Sequence, residues 1–472
     1  MTDPRSQLDD ASTTDLRLLW PAIVLVGVVY FFVAHDLQVS RCERFAPWSD
    51  AEGGAGVVEA GQNWVKGAAL GLIGLMGVYF LRRPDGRRLQ LHGLLPALML
   101  FYVAWAAASA SWSIGPGMSM RRLAVLMFCV VGALGMARQF RPRDIAVMAM
   151  TIMAAYLAIG IAAEVALGTF RPWSPGYRFA GTVHPNTQGA QLAILCLASF
   201  CAARSATRGR QWLWALFAVG LVFLILTRSR TSCAALAIAF AVLWLVNTSM
   251  RTRVLAAVTA GFAVSAAALV GAMFGLDVDH KLVEIAMLGR QEETKSLTGR
   301  VPIWLELTNY ARARPLQGYG YEAFWTAKHI EAVSEELQWP LREAHNAYLD
   351  CTLSVGLVGA AALLLSVFLA MQRAATRYRA TGDMGFAFML GMLAFGMVSA
   401  CLESGMASPN LMTLIAGSGV AMLAFYKAGF GRPIRAQPMR WGGSCTAGPR
   451  NHHKDRGGST TATPTRPLTL GP

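Results

Sequence analysis

The sequence predicts an all-α polytopic membrane protein with about twelve transmembrane helices and both termini in the cytoplasm. Three observations support this fold class. Hydrophobic residues make up 54% of the 472 residues and charged residues only 15%, whereas soluble domains carry about 25% charged residues. Apolar runs of membrane-spanning length recur along the chain, and arginines are concentrated in alternate connections between them. This composition excludes a water-soluble enzyme, a disordered chain and a collagen-like repeat.

Twelve segments are long and apolar enough to cross a hydrocarbon layer, which requires about 20 residues per helix. The first segment follows an acidic N-terminus that lacks a basic region and a cleavage site, so it is predicted to be retained rather than removed as a signal peptide. The segments lie near residues 17–35, 64–81, 90–110, 120–138, 143–167, 187–203, 211–227, 231–248, 253–274, 347–371, 384–401 and 409–427.

The basic residues predict the orientation of these segments. They cluster in every second connection and in the C-terminal tail, and by the positive-inside rule those parts lie in the cytoplasm. The net charge of +15 is therefore largely a topology signal, and no nucleic-acid partner is needed to explain it. The connections contain Arg82, Arg83, Arg87, Arg88, Arg138, Arg141, Arg143, Arg204, Arg208, Arg210, Arg251, Arg253, Arg373, Arg377 and Arg379.

These boundaries divide the chain into a cytoplasmic N-terminus (1–16), helices 1–9 (17–274), an outer cap loop (275–346), helices 10–12 (347–427) and a disordered cytoplasmic tail (428–472). The cap is predicted to be folded, because it mixes charges of both signs with Trp, Tyr and Pro, and loops of this length are functional or disordered. The eight cysteines are scattered without a CxxC spacing, which argues against a disulfide framework and a zinc site.

Four arginines depart from the topology pattern, because they fall on the outer side: Arg178, Arg228, Arg230 and Arg300. Arg228 and Arg230 stand in LTRSRT, between two apolar runs with almost no loop. One interpretation is snorkelling or structural ion pairing. The other is an anion site, since guanidinium groups grip phosphate oxygens in pairs. An anionic group at the outer leaflet suggests a lipid-linked diphosphate. No acidic metal cluster accompanies these arginines in the sequence, so no metal is predicted and cationic side chains would stabilise the diphosphate.

Two histidines on the outer side are further candidates. His345, in EAHNAYLD before the tenth span, can accept a proton near neutral pH. A lone histidine at a helix start also serves in packing or capping, and Asn346 is equally suited to an N-cap. His184, with Pro185 and Asn186, has the same two interpretations, and the three residues together are typical of a turn at a helix start. The motifs GxSxG, HExxH and the Walker loop are absent.

Four motifs in order resemble the O-antigen ligase and polymerase superfamily. They are RFAGTVHPNTQGA before one span, LTRSRTS between two, LTGRVPIWLELTNYARARPLQGYGYEAFW in the cap, and AHNAYLDCTLSVGLVG entering the next span. With the predicted topology, the resemblance covers residues from about 90 to 427. The cap motif GYGYEAFW followed by HNAYLD is most similar to the branch concerned with exopolysaccharide production.

The resemblance implies a metal-independent, cofactor-free glycosyltransferase at the periplasmic face of a bacterial inner membrane. Its donor would be an undecaprenyl-diphosphate-linked glycan, and its acceptor a saccharide on a lipid-linked repeat (polymerase) or on lipid A–core (ligase). The family's outer arginines correspond to Arg178, Arg228, Arg230 and Arg300, and its histidine corresponds to His345. A polymerase is the preferred reading, with a ligase as the alternative. A transporter of lipid-linked glycans is less compatible, because paired inverted repeats are not evident.

In the expected mechanism an acceptor hydroxyl attacks the anomeric carbon and the diphosphate leaves from the opposite face, which gives inversion. Arg228 and Arg230 stabilise the charge that develops on the diphosphate, and Arg178, Arg300, His184 and Asn186 contribute to substrate binding. His345 orients or deprotonates the hydroxyl, while Glu343 and Asp350 are weaker candidates for this role. Asn346 and Tyr348 position the sugar, and the cap excludes water.

Overall fold

The computed structural model describes residues 16–34, 64–249, 296–337, 341, 343–406 and 409–426. In these ranges the chain forms helices and no strand, with one isolated bridge between Leu89 and Tyr426. The helices are α1 (Leu16–Ala34), α2 (Trp64–Arg82), α3 (Leu94–Ala108), α4 (Pro116–Gln139), α5 (Pro142–Ala166), α6 (Pro185–Ser205), α7 (Arg210–Leu226), α8 (Arg230–Asn247), α9 (Ser296–Ala313), α10 (Ala327–Leu337), α11 (Ala347–Thr381), α12 (Met384–Ser399) and α13 (Leu411–Phe425). Two short 3₁₀ turns follow α3 and α12.

Eleven of the twelve predicted apolar segments coincide with these helices, and the all-helical prediction is confirmed for the described residues. The ninth segment, near 253–274, lies outside the described residues, as do the first part of the cap and the predicted tail. The number of twelve crossings and the orientation of the termini stay predictions.

Nine of the described helices are apolar enough to be membrane segments. Six are also long enough to cross a bilayer: Leu16–Ala34, Leu94–Ser111, Pro116–Gln139, Pro142–Ala166, Arg230–Asn247 and Ala347–Thr381. Three shorter ones are Arg210–Leu226, Met384–Ser399 and Leu411–Phe425. Their lengths and compositions support a multi-pass membrane protein.

Helix α12 lies in the middle of the bundle. It packs against α5, α6, α8 and α11, and nearly every residue from Met384 to Gly396 is buried. A helix that is apolar on all faces is stable only when other elements or lipid surround it. The end of α12 therefore brings the connection after it to the centre of one end of the bundle.

Helix α11 bends at Gly356, whose φ of 69° lies in the left-handed region. The cap segment before α10 is hydrogen bonded into this bend. Tyr319 N donates to Leu353 O at 2.8 Å, and Leu357 N donates to Pro315 O at 2.7 Å. The approach requires a glycine, because a Cβ on Gly356 would overlap the carbonyl oxygen of Leu316. The GYGYEAFW and HNAYLDCTLSVGLVG motifs thus pack against each other.

The described part of the cap has a small core of its own. Helices α9 and α10 contribute Ile303, Leu307 and Val333, and the segment between them contributes Tyr319 and Phe324. Leu341, Ala344 and Leu353 complete this core and connect it to the start of α11. The cap core consequently fixes the segment that contains His345.

Candidate functional site

The candidate site lies at the end of the bundle where α6, α8 and α11 begin and where α7 and α12 end. Four residues from three distant segments are linked there by polar contacts: Arg178, Asn186, Arg300 and Glu403. We refer to these four residues as the Glu403 cluster. The turn from Thr227 to Arg230 and the segment around His345 adjoin it.

The loop that contains Arg178 is shaped by Glu164 at the end of α5. The Glu164 carboxylate accepts hydrogen bonds from Ala180 N at 2.9 Å and Gly181 N at 2.7 Å, and from the hydroxyl of Tyr177 at 2.5 Å. Phe179 is fully buried, and its backbone N–H donates to Leu226 O at 2.9 Å. These contacts fix the loop against the end of α7 and thereby place Arg178.

Arg178 bridges two elements of the site. Its Nε donates to Thr227 O at 3.0 Å, and its Nη2 donates to Asn186 Oδ1 at 2.9 Å. The same guanidinium therefore contacts the α7–α8 turn and the first turn of α6. This bridge joins the LTRSRT motif to the HPN motif, which are about 40 residues apart in the chain.

The α7–α8 turn holds Arg228 in an unusual conformation. Arg228 has a φ of 52°, in the left-handed region that costs a non-glycine residue about 1–2 kcal/mol. Buried Ser229 supports the turn, because its N–H donates to Thr227 Oγ1 at 3.1 Å. No carboxylate of the described residues pairs with Arg228, and α8 begins at Arg230. Both arginines are half-buried.

Glu403 is the centre of its cluster. Its Oε1 accepts a hydrogen bond from Asn186 Nδ2 at 3.0 Å and lies 3.7 Å from Arg300 Nη2. Burial raises the pKa of the Glu403 carboxyl above its usual value, while Arg300 and His345 act in the opposite direction. This one carboxylate therefore holds Arg178 through Asn186 and Arg300 by direct approach.

His345 is the second strained residue of the site, with a φ of 49°. Its Nδ1 lies 2.9 Å from Glu343 Oε1, and about a third of the side chain is exposed, 32%. The Glu343 carboxylate raises the pKa of His345 above its usual value, Glu403 contributes in the same direction, and burial and Arg300 oppose them. Backbone strain of this kind is frequent at functional sites.

Three of the sequence-predicted residues have well-defined local contacts. His184 is the N-cap of α6, and its Nδ1 accepts a hydrogen bond from Asn186 N at 3.2 Å. Asn346 is the N-cap of α11, and its Oδ1 accepts from Tyr348 N and Leu349 N. The hydroxyl of Tyr348 donates to Met397 O at 2.6 Å and so connects α11 to α12. The capping interpretation of His184 and Asn346 is thus confirmed.

Glu403 and Glu164 were missed by the sequence reasoning. Glu403 is the one charged residue between the predicted eleventh and twelfth spans, and a solitary carboxylate in a short connection is a detectable signal. Glu164 stands near the end of an apolar run, where an acidic residue is costly unless it is paired. Both signals come from acidic residues, whereas the four predicted departures from the topology pattern are all arginines.

The arrangement is suited to binding an anion beside a proton acceptor. Arg178 and Arg300 are held around Glu403, and Arg228 lies half-buried in the adjoining turn without a carboxylate partner among the described residues. Guanidinium groups remain charged and can form paired hydrogen bonds with phosphate oxygens. Within the described ranges, no group of three His, Cys, Asp or Glu residues could hold a metal ion.

Residues 214–364 match the family model described as O-antigen ligase. The matched range covers about a third of the chain, beginning in α7 and ending in α11. It includes Arg228, Arg230, Arg300 and His345. Over residues 214–364 the match confirms the resemblance to the O-antigen ligase and polymerase superfamily, and it supports a membrane function of that type. Comparison with curated proteins finds no match.

Proposed function

We propose that this protein is a periplasm-facing glycosyltransferase that moves a glycan from an undecaprenyl-diphosphate donor to a saccharide hydroxyl, with inversion at the anomeric carbon. Its role would be exopolysaccharide or O-antigen polymerisation, and ligation to lipid A–core is the alternative. The proposal requires an anion site and an adjacent proton acceptor at one end of a membrane bundle. The match to the O-antigen ligase family supports this reaction class.

The observation that carries the proposal is the convergence of outer arginines on the Glu403 cluster. Arg178 and Arg300 come from segments that are more than a hundred residues apart, yet both are held through one carboxylate. Arg228 is half-buried next to them, and the carboxylates of the described residues leave it without an ion pair. Holding such charges at a membrane boundary is costly unless an anion compensates them. A diphosphate supplies that compensation.

In the proposed reaction, an oxygen lone pair of the acceptor hydroxyl forms the new bond to the anomeric carbon. The bond from that carbon to the diphosphate oxygen breaks, and its electron pair remains on the leaving diphosphate. Arg228 and Arg230 stabilise this developing charge, and Arg178 and Arg300 orient the diphosphate. His345 accepts the hydroxyl proton, a contribution typically of about 10²–10⁴ in rate.

Asn346 and Tyr348 act in the proposal by positioning groups around the acceptor. Their described contacts cap α11 and connect it to α12, so their effect on the sugar is transmitted through the placement of His345. Asn186 acts in the same way on Arg178 and Glu403. The cap covers the site and limits competition by water as the nucleophile.

The periplasmic placement is supported by the distribution of charge between the two ends of the bundle. The candidate site occupies one end, and the arginine-rich connections after α2, α4, α6 and α11 occupy the other. By the positive-inside rule, the arginine-rich end faces the cytoplasm. Attaching a cysteine-reactive, membrane-impermeant reagent to single cysteines placed at each end would test this orientation in intact cells.

The test of the activity uses the purified full-length chain in proteoliposomes with a lipid-linked glycan donor and a saccharide acceptor. The parent protein should form a glycosidic product, and His345→Ala, Arg230→Ala and Arg300→Ala should each reduce the rate by at least about 10². Arg171→Ala is the matched control, because Arg171 is an exposed arginine of an adjoining loop outside the Glu403 cluster. Near-normal rates in the three variants would overturn the proposed site.

Deletion of the gene distinguishes the two enzyme classes. Loss of chain length beyond a single repeat supports a polymerase. Loss of long chains from lipid A–core, with accumulation of lipid-linked polymer, supports the ligase alternative. Movement of the donor across the bilayer without any new glycosidic bond in proteoliposomes would instead identify a transporter and contradict the proposal.

A further inference from the structure

Asp350 lies in the first turn of α11, and its carboxylate joins three segments around the candidate site. Oδ1 accepts hydrogen bonds from Trp325 Nε1 at 2.9 Å and from Ala344 N at 3.2 Å. Oδ2 accepts from the hydroxyl of Ser404. Trp325 belongs to the cap motif, Ala344 directly precedes His345, and Ser404 directly follows Glu403.

The contact with Ala344 fixes the peptide unit next to a strained residue. His345 has a φ of 49°, a conformation that persists only where its surroundings determine it. The N–H of Ala344 donates to Asp350, and its carbonyl accepts from Trp304 Nε1 at 3.0 Å. Both polar groups of Ala344 are therefore held, and Ala344 itself is fully buried.

The contact with Ser404 fixes the other side of the site. Ser404 is buried at 5% exposure, so its hydroxyl requires a partner. Asp350 provides that partner, and the adjacent Glu403 is thereby presented to Asn186 and Arg300. One carboxylate thus holds the chain neighbours of both His345 and Glu403.

We propose that Asp350 is a positioning residue that sets the distance and orientation of His345 relative to the Glu403 cluster. This role rests on the proposed glycosyl transfer, in which His345 accepts the proton while the arginines hold the diphosphate. Asp350 does not itself face the acceptor, because both of its oxygens accept hydrogen bonds from the protein.

The test compares Asp350→Ala with Asp350→Asn in proteoliposomes. Asp350→Ala removes all three contacts, and a misplacement of about 1 Å at a reacting group lowers kcat by about 10². Asp350→Asn keeps an oxygen for Trp325 and Ala344, and its amide can donate to the Ser404 hydroxyl. It should stay within about tenfold of the parent, the cost of weakening one hydrogen bond. A proton-accepting role would instead make both variants equally inactive, which would overturn the proposal.

The KM for the donor separates positioning from a general loss of structure. Neither Arg178 nor Arg228 contacts Asp350 directly, and Arg178 keeps its own contact with Thr227 O, so KM for the donor should rise by a smaller factor than kcat falls. Asp144→Ala is the matched control, because Asp144 is a buried carboxylate that accepts a backbone N–H at the other end of the bundle. Its kcat per folded molecule should equal that of the parent.

If Asp350→Ala does not fold, a third variant, Ser404→Ala, still tests the inference. Ser404→Ala leaves Asp350 with its other two donors and should reduce kcat by about tenfold, whereas an unchanged kcat would contradict the inference. Failure of this inference is distinguishable from failure of the proposed function. If His345→Ala abolishes transfer but Asp350→Ala and Ser404→Ala do not lower kcat, only the role of Asp350 is wrong.

Discussion

The two ends of the bundle both contain many arginines, but the partners of these arginines differ. At the basic end, several guanidiniums donate to carbonyl groups in the last turn of a helix. Arg373 Nη1 donates to Leu423 O in α13, Arg87 Nη1 to Ala137 O in α4, and Arg379 Nε to Val246 O in α8. Cations at helix C-termini satisfy carbonyls that lack intrahelical partners and interact favourably with the helix dipole.

At the other end, arginines from separate segments meet one shared carboxylate. Arg178 reaches Glu403 through Asn186, and Arg300 approaches it directly. This end also contains Arg228 and His345, two of the three non-glycine residues with positive φ in the described chain. The comparison indicates that the number of arginines follows the predicted topology, whereas shared partners and backbone strain set apart the arginines that we propose to be functional.

The sharpest test of this comparison pairs Arg228→Ala with Arg373→Ala. Removal of one preorganised charge donor costs about 10²–10³ in rate, so Arg228→Ala should lower transfer strongly and change the melting temperature little. Arg373→Ala should lower the free energy of unfolding by about 1 kcal/mol and leave the rate per folded molecule unchanged. Initial rates and thermal unfolding in detergent measure both effects. Equal loss of rate in the two variants would remove the distinction between the ends.

Substitution of a carboxylate is expected to change the transfer rate less than substitution of Arg228. Glu403→Gln keeps an acceptor for Asn186 but removes the charge opposite Arg300, and loss of a charge-assisted contact corresponds to about tenfold in rate. Asp383→Asn is the matched control at the basic end. It retains the N-cap of α12, since Asn caps as well as Asp, and loses only the exposed pair with Arg143. Transfer by Asp383→Asn should equal that of the parent, and an unchanged rate in Glu403→Gln would contradict the role of the cluster.

Much of the fold was predictable because membrane helices depend on local composition. The C-terminal end of α11 departs most from its predicted position, because the apolar run stops near residue 371 and the helix continues to Thr381. Its last turns contain Arg373, Arg377 and Arg379, which hydropathy does not assign to a span but which are good helix formers. Hydropathy detects the apolar part of a helix and not its full length.

Three members of the Glu403 cluster, Arg178, Asn186 and Arg300, were named from the sequence one by one, but Glu403 and the assembly of the cluster were not. The charge of Arg178 and Arg300 and their departure from the predicted topology pattern are local properties. The role of Glu403 depends on segments around residues 186, 300 and 403 meeting in space, which no single segment encodes. The left-handed conformations of Arg228 and His345 also escaped prediction, because sequence signals for positive φ are strong only for glycine and, to a lesser degree, asparagine.

The next prediction concerns the pH dependence of the transfer rate and does not require that a variant lose activity at its optimum pH. Only the neutral imidazole of His345 can accept a proton, so the rate should rise as the pH increases through its pKa. Because Glu343 raises that pKa, Glu343→Gln should lower it and move the acidic limb of the rate profile to lower pH. Glu331→Gln, on the exposed face of α10, should leave the profile unchanged. A shift to higher pH in Glu343→Gln would contradict the assignment of this limb to His345.

The smallest effect is expected for Arg143→Ala, although the ion pair of Arg143 with Asp383 is shorter than that of Arg300 with Glu403. Arg143 Nε lies 2.7 Å from Asp383 Oδ1, compared with 3.7 Å between Arg300 and Glu403. Nearly half of the Arg143 side chain is exposed, 47%, and exposed pairs contribute about 0.2–1 kcal/mol because water and salt screen them. Arg143→Ala should therefore change the free energy of unfolding by less than about 1 kcal/mol, with normal transfer. Loss of transfer in this variant would mean that a place in the Glu403 cluster or in the strained α7–α8 turn is not what distinguishes the arginines proposed to be functional.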